Sequence, residues 1–368
     1  MSRDPISVGF GSPRPACGER SDRSCDPGEG DSPHPELVES PSRASGVRET
    51  IDRRSILALI AGALLPVQAR AAAYPSRPIK IIVPFGPGGS GDITARLIGK
   101  QIEERTKQPV VVDNRPGANG IIGTMAVKTA EPDGYTVLLI TTSTHAANVS
   151  LVRNLSYDPA RDFTIVGVFR SSGSYMMVRP QAEWRDLAQF IAAARAAPGK
   201  LTFGHFNASS RTPPEYLSRL AGIELQAVPY RAIANAVADL ISGEINCLFM
   251  DTTASNQYLQ NGQLRPLAIT RLTRAPSTPD VPAVAETFPG FQLTGFLGMA
   301  VPSATPREIV EQLNGLINAA LTSPEVRRRM DEFGLSYDIT DLAACDQEVR
   351  AERERWTEYT RVAGIQPE

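Results

Sequence analysis

The residues that could do chemistry sit in a few loops, each following a short apolar run. The first loop is Pro84-Phe85-Gly86-Pro87-Gly88-Gly89-Ser90-Gly91-Asp92, directly after Ile79–Val83. Pro84 and Pro87 stiffen it, while Gly88, Gly89 and Gly91 permit positive φ and close backbone approach. A helical pattern begins at once, so the N–H groups of Gly88, Gly89, Ser90 and Gly91 form an anion cradle at a helix N-terminus. Phe85 would wall such a site. Asp92 either caps the helix or meets a donor on a ligand. No Gly-Lys-Ser/Thr follows, and the closing glycine of a dinucleotide loop is absent, so neither nucleotide template fits.

The second loop, Thr141-Thr142-Ser143-Thr144-His145, also follows an apolar run. Ligands of open α/β sheets bind at the carboxyl ends of strands, where these hydroxyls could hold a carboxylate without a charged side chain. Ser143, Thr144 and His145 are candidates there, with a capped helix start as the plainer reading. The third loop runs from Gly204 to Arg211 and offers Asn207, Ala208 and Ser209 beside the aromatic Phe206. Arg231 after Val228-Pro229-Tyr230, and Asp251 after Met250, complete the ligand-binding candidates. Arg231 could meet a distal carboxylate or an acid of a domain interface.

Catalytic templates fail on the same residues. Gly89-Ser90-Gly91-Asp92 lacks the last glycine of a nucleophile elbow. Cys247 lies inside an apolar run with no histidine nearby in sequence. There is no H-E-x-x-H, C-x-x-C or EF-hand loop, and the chain has only three histidines. These residues predict neither an enzyme nor a metal or cofactor site.

The elements that must position these loops read as alternating strands and helices. Ile79–Val83, Val110–Asp113 and Tyr135–Ile140 are nearly continuous β-rich runs, as expected of parallel strands buried on both faces. Between them lie a helix with Ile93, Leu97, Ile98 and Ile102 on one face, and a helix over Ile121–Lys128. The pattern resumes after Gly173 with strands at Tyr175–Val178, Leu201–Phe203, Leu225–Tyr230, Ile245–Met250 and Leu267–Ile269. Helices fall at Asp186–Ala196 and near Asn235–Ile241. A last strand, Phe296–Val301, precedes helices at Pro306–Leu321, Pro324–Phe333 and Leu342–Val362, the second opened by Ser323 as cap and Pro324 in the first turn. The alternation predicts an α/β fold of two lobes around a ligand cleft. Residues 74–173 and 296–368 would form one discontinuous lobe and 174–295 the other, with crossings near Ser171–Ser174 and Thr294–Gly295.

Residues 1–47 are rich in Pro, Gly, Ser and charge and read as disordered. Arg53-Arg54, the apolar run Ile56–Leu65 and the small residues Ala69, Ala71, Ala72 and Ala73 then form an export signal. The run is too short for a spanning helix. The paired arginines resemble a twin-arginine signal only in part, leaving Sec and Tat export both open. The 47 residues before the signal suggest a reading frame that starts too early, with Val47 as the true start. Residues 1–73 are thus read as extension plus signal, and the mature protein as periplasmic. Cleavage before Tyr74 would remove Cys17 and Cys25, leaving Cys247 and Cys345, for which a disulfide is not expected. A formal net charge of −2 gives no reason to expect nucleic acid as a partner. An exported chain with an anion cradle and no catalytic apparatus points to a solute receptor.

Several strings in order sharpen this. Tyr74-Pro75-Ser76-Arg77-Pro78-Ile79, the glycine-rich loop, Asp113-Asn114-Arg115-Pro116-Gly117-Ala118-Asn119-Gly120, Pro132-Asp133-Gly134-Tyr135-Thr136, Val228-Pro229-Tyr230-Arg231 and Asp280-Val281-Pro282-Ala283-Val284-Ala285-Glu286 resemble the substrate-binding proteins of tripartite tricarboxylate transporters, the Bug family. The resemblance spans essentially the whole chain from Tyr74. It implies a type II periplasmic binding-protein fold, monomeric, that captures a small carboxylate for a large and a small integral-membrane component. It also implies that loops such as Phe85–Asp92 and Thr141–His145 hold the carboxylate. The chain departs from the family pattern at His205–Ser210 and at Arg231-Ala232-Ile233, where Lys-Gly is usual. A ligand-sensing adaptor for a membrane sensor kinase is the alternative role.

Overall fold

In the computed structural model the described residues are 74–367, apart from 172, 336 and 337. The extension and export-signal readings fall on residues 1–73 and lie outside them. Ile79, Ile81, Ile82 and Val83 are buried and build strand β1 (Ile79–Val83). Its side chains alternate between two cores, with Ile79, Ile81 and Val83 on one face and Ile82 on the other. Helix α1 (Ser90–Thr106) follows, then β2 (Val110–Asn114), α2 (Ile121–Lys128) and β3 (Thr136–Thr141). β1 pairs in parallel with both β2 and β3. A π-helical turn at Ser143–Ala147 and a short helix at Asn148–Leu151 lead to β4 (Phe163–Ser171).

The next strands build a separate sheet. They are β5 (Ser174–Val178), β6 (Thr202–His205), β7 (Gln226–Pro229), β8 (Cys247–Asp251) and β9 (Arg265–Ile269), in the order β7-β6-β8-β5-β9. Helices α3 (Leu187–Ala196), α4 (Ala208–Ala221), α5 (Ile233–Ser242) and α6 (Thr252–Gln260) connect them. Strand β10 (Gly295–Pro302) then returns to the first sheet, whose order is β2-β1-β3-β10-β4, and runs antiparallel to β3 and β4. Helices α7 (Arg307–Leu321), α8 (Pro324–Phe333) and α9 (Leu342–Ala363) close the chain. The fold is thus two mixed α/β sheets of like design. Each has a parallel trio (β2-β1-β3, β7-β6-β8) and two strands in antiparallel pairing (β10 and β4, β5 and β9).

One buried hydroxyl ties both passages between the sheets. Thr270 Oγ1 accepts from Ser174 N at 2.8 Å and donates to Leu293 O at 2.6 Å. Gly173 beside it has φ +99°, and a Cβ there would lie 2.8 Å from Thr270 Oγ1. The chain therefore passes from β4 to β5 through a residue that only glycine suits.

Several elements differ from the sequence expectation. β2 is an edge strand with Val111 half exposed, not a strand buried on both faces, and β7 is likewise an exposed edge. The buried stripe of α1 is Gly91, Thr94, Ala95, Ile98 and Ile102, with Ile93 and Leu97 only half-buried. β4, α4 and α6 were not anticipated as elements. Pro213 and Pro214 lie inside α4, where proline normally breaks a helix. Ser323 stands at the cap of α8 but its side chain makes no capping bond. Cys247 and Cys345 are buried free thiols. Among the described residues no helix is long and apolar enough to cross a membrane.

Gly91 sets the approach of α1 to the sheet: a Cβ there would sit 2.4 Å from Leu139 Cδ2 in β3. Gly91→Ala should cost about 1–3 kcal/mol through overpacking, read by urea unfolding. Gly89→Ala, whose Cβ would have its nearest neighbour at 3.8 Å, should unfold close to wild type.

Candidate functional site

The carboxyl ends of β1, β3, β6 and β8 converge on a cleft between the two sheets. Gly88 turns the chain at φ +81°, and Gly89 is the extended N-cap of α1 without any side-chain cap. The first intrahelical bond is Ile93 N to Gly89 O at 3.0 Å. The N–H groups of Gly89, Ser90, Gly91 and Asp92 have no hydrogen-bond acceptor among the described residues, and all four residues line the cleft. Phe85 forms part of its wall, held by Asn114 Nδ2 on its carbonyl at 3.0 Å.

Asp92 is in the cleft wall but already engaged. Its Oδ2 accepts from Gly88 N at 3.0 Å and its Oδ1 from Arg96 Nε at 3.0 Å. Burial works to raise its pKa, and the Arg96 guanidinium and the Gly88 N–H outweigh it, so the carboxyl is held below its usual range. The Gly88 amide is spent on this bond, and Gly88 is not among the cleft-lining residues.

The hydroxyl-rich loop contributes less than its composition suggests. Thr142 Oγ1 is bonded to both the N and the O of Phe296. Thr144 is buried, bonded through Oγ1 to Thr141 N at 3.0 Å and to His145 Nδ1 at 3.1 Å. His145 is fully buried in the core, 5.2 Å from the Phe163 ring. Neither Thr144 nor His145 lines the cleft, because the π-helical turn directs both into the protein. Ser143 does line it, and its Oγ lies 3.3 Å from Ser209 Oγ of the facing wall.

The second sheet supplies that facing wall. Asn207 caps α4, with Oδ1 accepting from Ser210 N at 2.9 Å, so its amide group alone is left for other partners. Ala208 lies outside the main cleft, with its N–H donated to Asn119 Oδ1 at 3.0 Å. Arg231 is exposed at the cleft and its guanidinium has no ion pair or hydrogen bond among the described residues. Ala232, the N-cap of α5, has no capping side chain either, so a second helix N-terminus opens on the cleft. Asp251 caps α6 by accepting from Ala254 N at 2.9 Å. Burial raises its pKa, against the Ala254 N–H and the Ser90 hydroxyl, which reaches it from the other sheet.

Sequence reasoning missed several residues here. Asn119, at φ +51° in the Asn114–Gly120 string, links the two walls through Ala208. Its signal was an Asn directly before a glycine, a residue that tolerates the left-handed region. Thr253, Leu293, Phe296 and Trp356 also line the cleft. Trp356 arrives from α9 and donates Nε1 to Thr294 O at 3.1 Å, which no local spacing could reveal.

The cleft encloses about 80 Å³, against roughly 10–15 Å³ for one water on the same scale. That suits a small organic acid. No His or Cys lines it among the described residues. Two α/β units with an amide-rich cleft at their strand ends define a solute-binding protein. The family model described as "Tripartite tricarboxylate transporter family receptor" matches residues 94–362. The chain belongs to this family, whose solved members include periplasmic binding proteins. BugT of Bordetella pertussis is 32% identical over 311 residues, covering 83% of this chain and 94% of that one. An R. palustris protein solved with adipate superposes with a TM-score of 0.77 at 32% identity, over 80% of this chain and 100% of its own. MatC from Rhodopseudomonas palustris with bound malate gives 0.74 at 29% identity, over 78% and 99%.

His145 makes stability depend on acid. Burial, and the nearby Arg353, push its pKa down to about 3. The unfolded imidazole takes its proton near pH 6.5, so between those values the unfolded chain binds more protons and stability falls as pH falls. From pH 7 to pH 5 the loss should be about 2 kcal/mol. Urea unfolding at the two pH values should show it, and His145→Phe should remove that part of the difference.

Proposed function

We propose that this protein is an exported receptor that captures a small carboxylate in the cleft and delivers it to the large and small membrane components of a tripartite transporter. The reading is carried by the unsatisfied amides of Gly89, Ser90 and Gly91 at the N-terminus of α1. Such donors favour an anion, and a carboxylate is a planar anion small enough for the cleft. The adipate and malate carried by the two R. palustris neighbours support this class. A proximal carboxylate would lie on the α1 amides. Ser143 and Ser209 close over it, and Phe85 walls it. A distal carboxylate, where the ligand has one, would meet Arg231 and the open N-terminus of α5. Micromolar capture needs about −8 kcal/mol. A few charge-assisted bonds of about 1.5–3 kcal/mol each suffice after ordering costs.

A thermal-shift panel of aliphatic, amino and aromatic acids tests the class: ligands raise the melting temperature by linkage, and no response from any acid would refute it. Gly89→Val should place a branched side chain over the amides and lower calorimetric affinity at least tenfold, with the circular dichroism spectrum unchanged. Wild-type affinity in that folded variant would count against the cradle. Arg231→Ala should weaken dicarboxylates by about 10- to 100-fold, as loss of a charged hydrogen bond of 1.5–3 kcal/mol implies, and leave monocarboxylates nearly unchanged.

A further inference from the structure

A receptor for anions would be expected to keep acids out of its cleft, yet Asp251 stands in the wall. Its carboxyl group accepts from the Ala254 N–H at 2.9 Å, and the Ser90 hydroxyl and the Thr253 N–H also bond to it. Asp92, the other acid lining the cleft, is neutralised by Arg96 at 2.9 Å. Asp251 has no cation beside it among the described residues. Because Ser90 turns its proton toward Asp251, it presents lone pairs to the remaining space. This part of the wall is therefore a group of acceptors.

A second observation lies next to it. Thr253, two residues on in the first turn of α6, is 2% exposed. Its Oγ1 has no hydrogen-bond partner. Among the described residues it is the only cleft-lining residue with a buried side-chain polar atom left unpaired. An unpaired buried hydroxyl is costly, and a group entering the cleft can pair it. A bare carboxylate placed here would meet Asp251 either as a like charge or, since burial favours the neutral carboxyl, only with a proton held between them. A hydroxyl or ammonium on the ligand would instead donate to Asp251 and Ser90, and a hydroxyl oxygen could also accept from Thr253.

We propose that Asp251, Ser90 and Thr253 form a subsite for a hydrogen-bond donor, so that the carboxylate captured by this receptor carries a hydroxyl or an ammonium group. The inference rests on the carboxylate reading above. It assigns to Asp251 a selective role in addition to capping α6.

Calorimetry with matched acids tests it: succinate, malate and aspartate, then propionate, lactate and alanine. The hydroxy or amino member of a set should bind at least tenfold more tightly than the unsubstituted one, and which of the two wins identifies the donor. Asp251→Asn keeps a capping oxygen for Ala254 N and should abolish the preference while remaining folded. Thr253→Val should reduce it several-fold. If unsubstituted acids bind as tightly as their substituted partners, the subsite is overturned and the carboxylate reading stands. If Asp251→Asn tightens all three members of a set equally, Asp251 is only a repulsive charge and the subsite is again overturned. If no acid in either set binds while another acid of the thermal-shift panel does, the subsite is overturned and the carboxylate reading stands; if the whole panel is silent, both readings fall.

Discussion

The structure turns on a buried strand that must end, reverse and start a helix without satisfying the helix's own first amides. β1 is covered on both faces, so its exit loop has little room. Gly88 makes the turn with positive φ, and Gly91 lets the helix lie against Leu139. Asp92 anchors the loop through Gly88 and Arg96. The four amides left over face the cleft. Unpaired buried donors cost about 1–3 kcal/mol each, so water or an anion must fill the position. On the proposed function, the cradle is a liability of the fold that a ligand would convert into affinity.

The opposite wall is joined to this one mostly by neutral groups. Ser143 meets Ser209, Asn119 holds Ala208 N, Thr252 donates to Phe333 O, and Trp356 donates to Thr294 O. Each such bond contributes about 0.5–1.5 kcal/mol net, because water can replace either partner. Charged pairs across the cleft would have imposed larger desolvation costs on opening and closing. The two passages between the sheets are tied at Thr270, with Gly173 beside it. The sheets are therefore coupled by one hydroxyl that bonds both passages and by several exchangeable contacts.

Much of this was legible in the residues. The β-rich runs at Ile79–Val83 and Tyr135–Ile140 mark central strands because both faces are buried, and hydrophobicity is then continuous. The helix after Gly91 is marked by its period. α4 was not legible, since Pro213 and Pro214 normally end a helix, while the Asn207–Ser210 capping box holds this one's start. Glycine spacing pointed to the cradle, but not to the consumption of Gly88 N by Asp92. For the hydroxyl-rich loop, composition was misleading. Thr144 and His145 are polar residues whose bonds are made inside the protein, and only the π-helical geometry, which has no sequence marker here, turns them away. Thr253 and Trp356 enter the cleft through tertiary packing, beyond the reach of local pattern.

The distribution of charge in the cleft argues for why amides, rather than arginines, would take the first carboxylate. A buried guanidinium must be desolvated before it pairs, and that cost can exceed what the pair returns. Backbone amides at a helix N-terminus are already oriented by folding, so the cost of arranging them falls on the fold and not on binding. Among the described cleft residues the one free cation, Arg231, is instead exposed, where its hydration costs little to exchange and its attraction acts at longer range. An exposed charge of this kind would add encounter and orientation to the affinity it gives a second carboxylate, while the neutral amides would hold the first. On the proposed function, a receptor that must also surrender its ligand would gain from that division: water could return to the amides if the cleft opened, whereas a buried ion pair would resist separation.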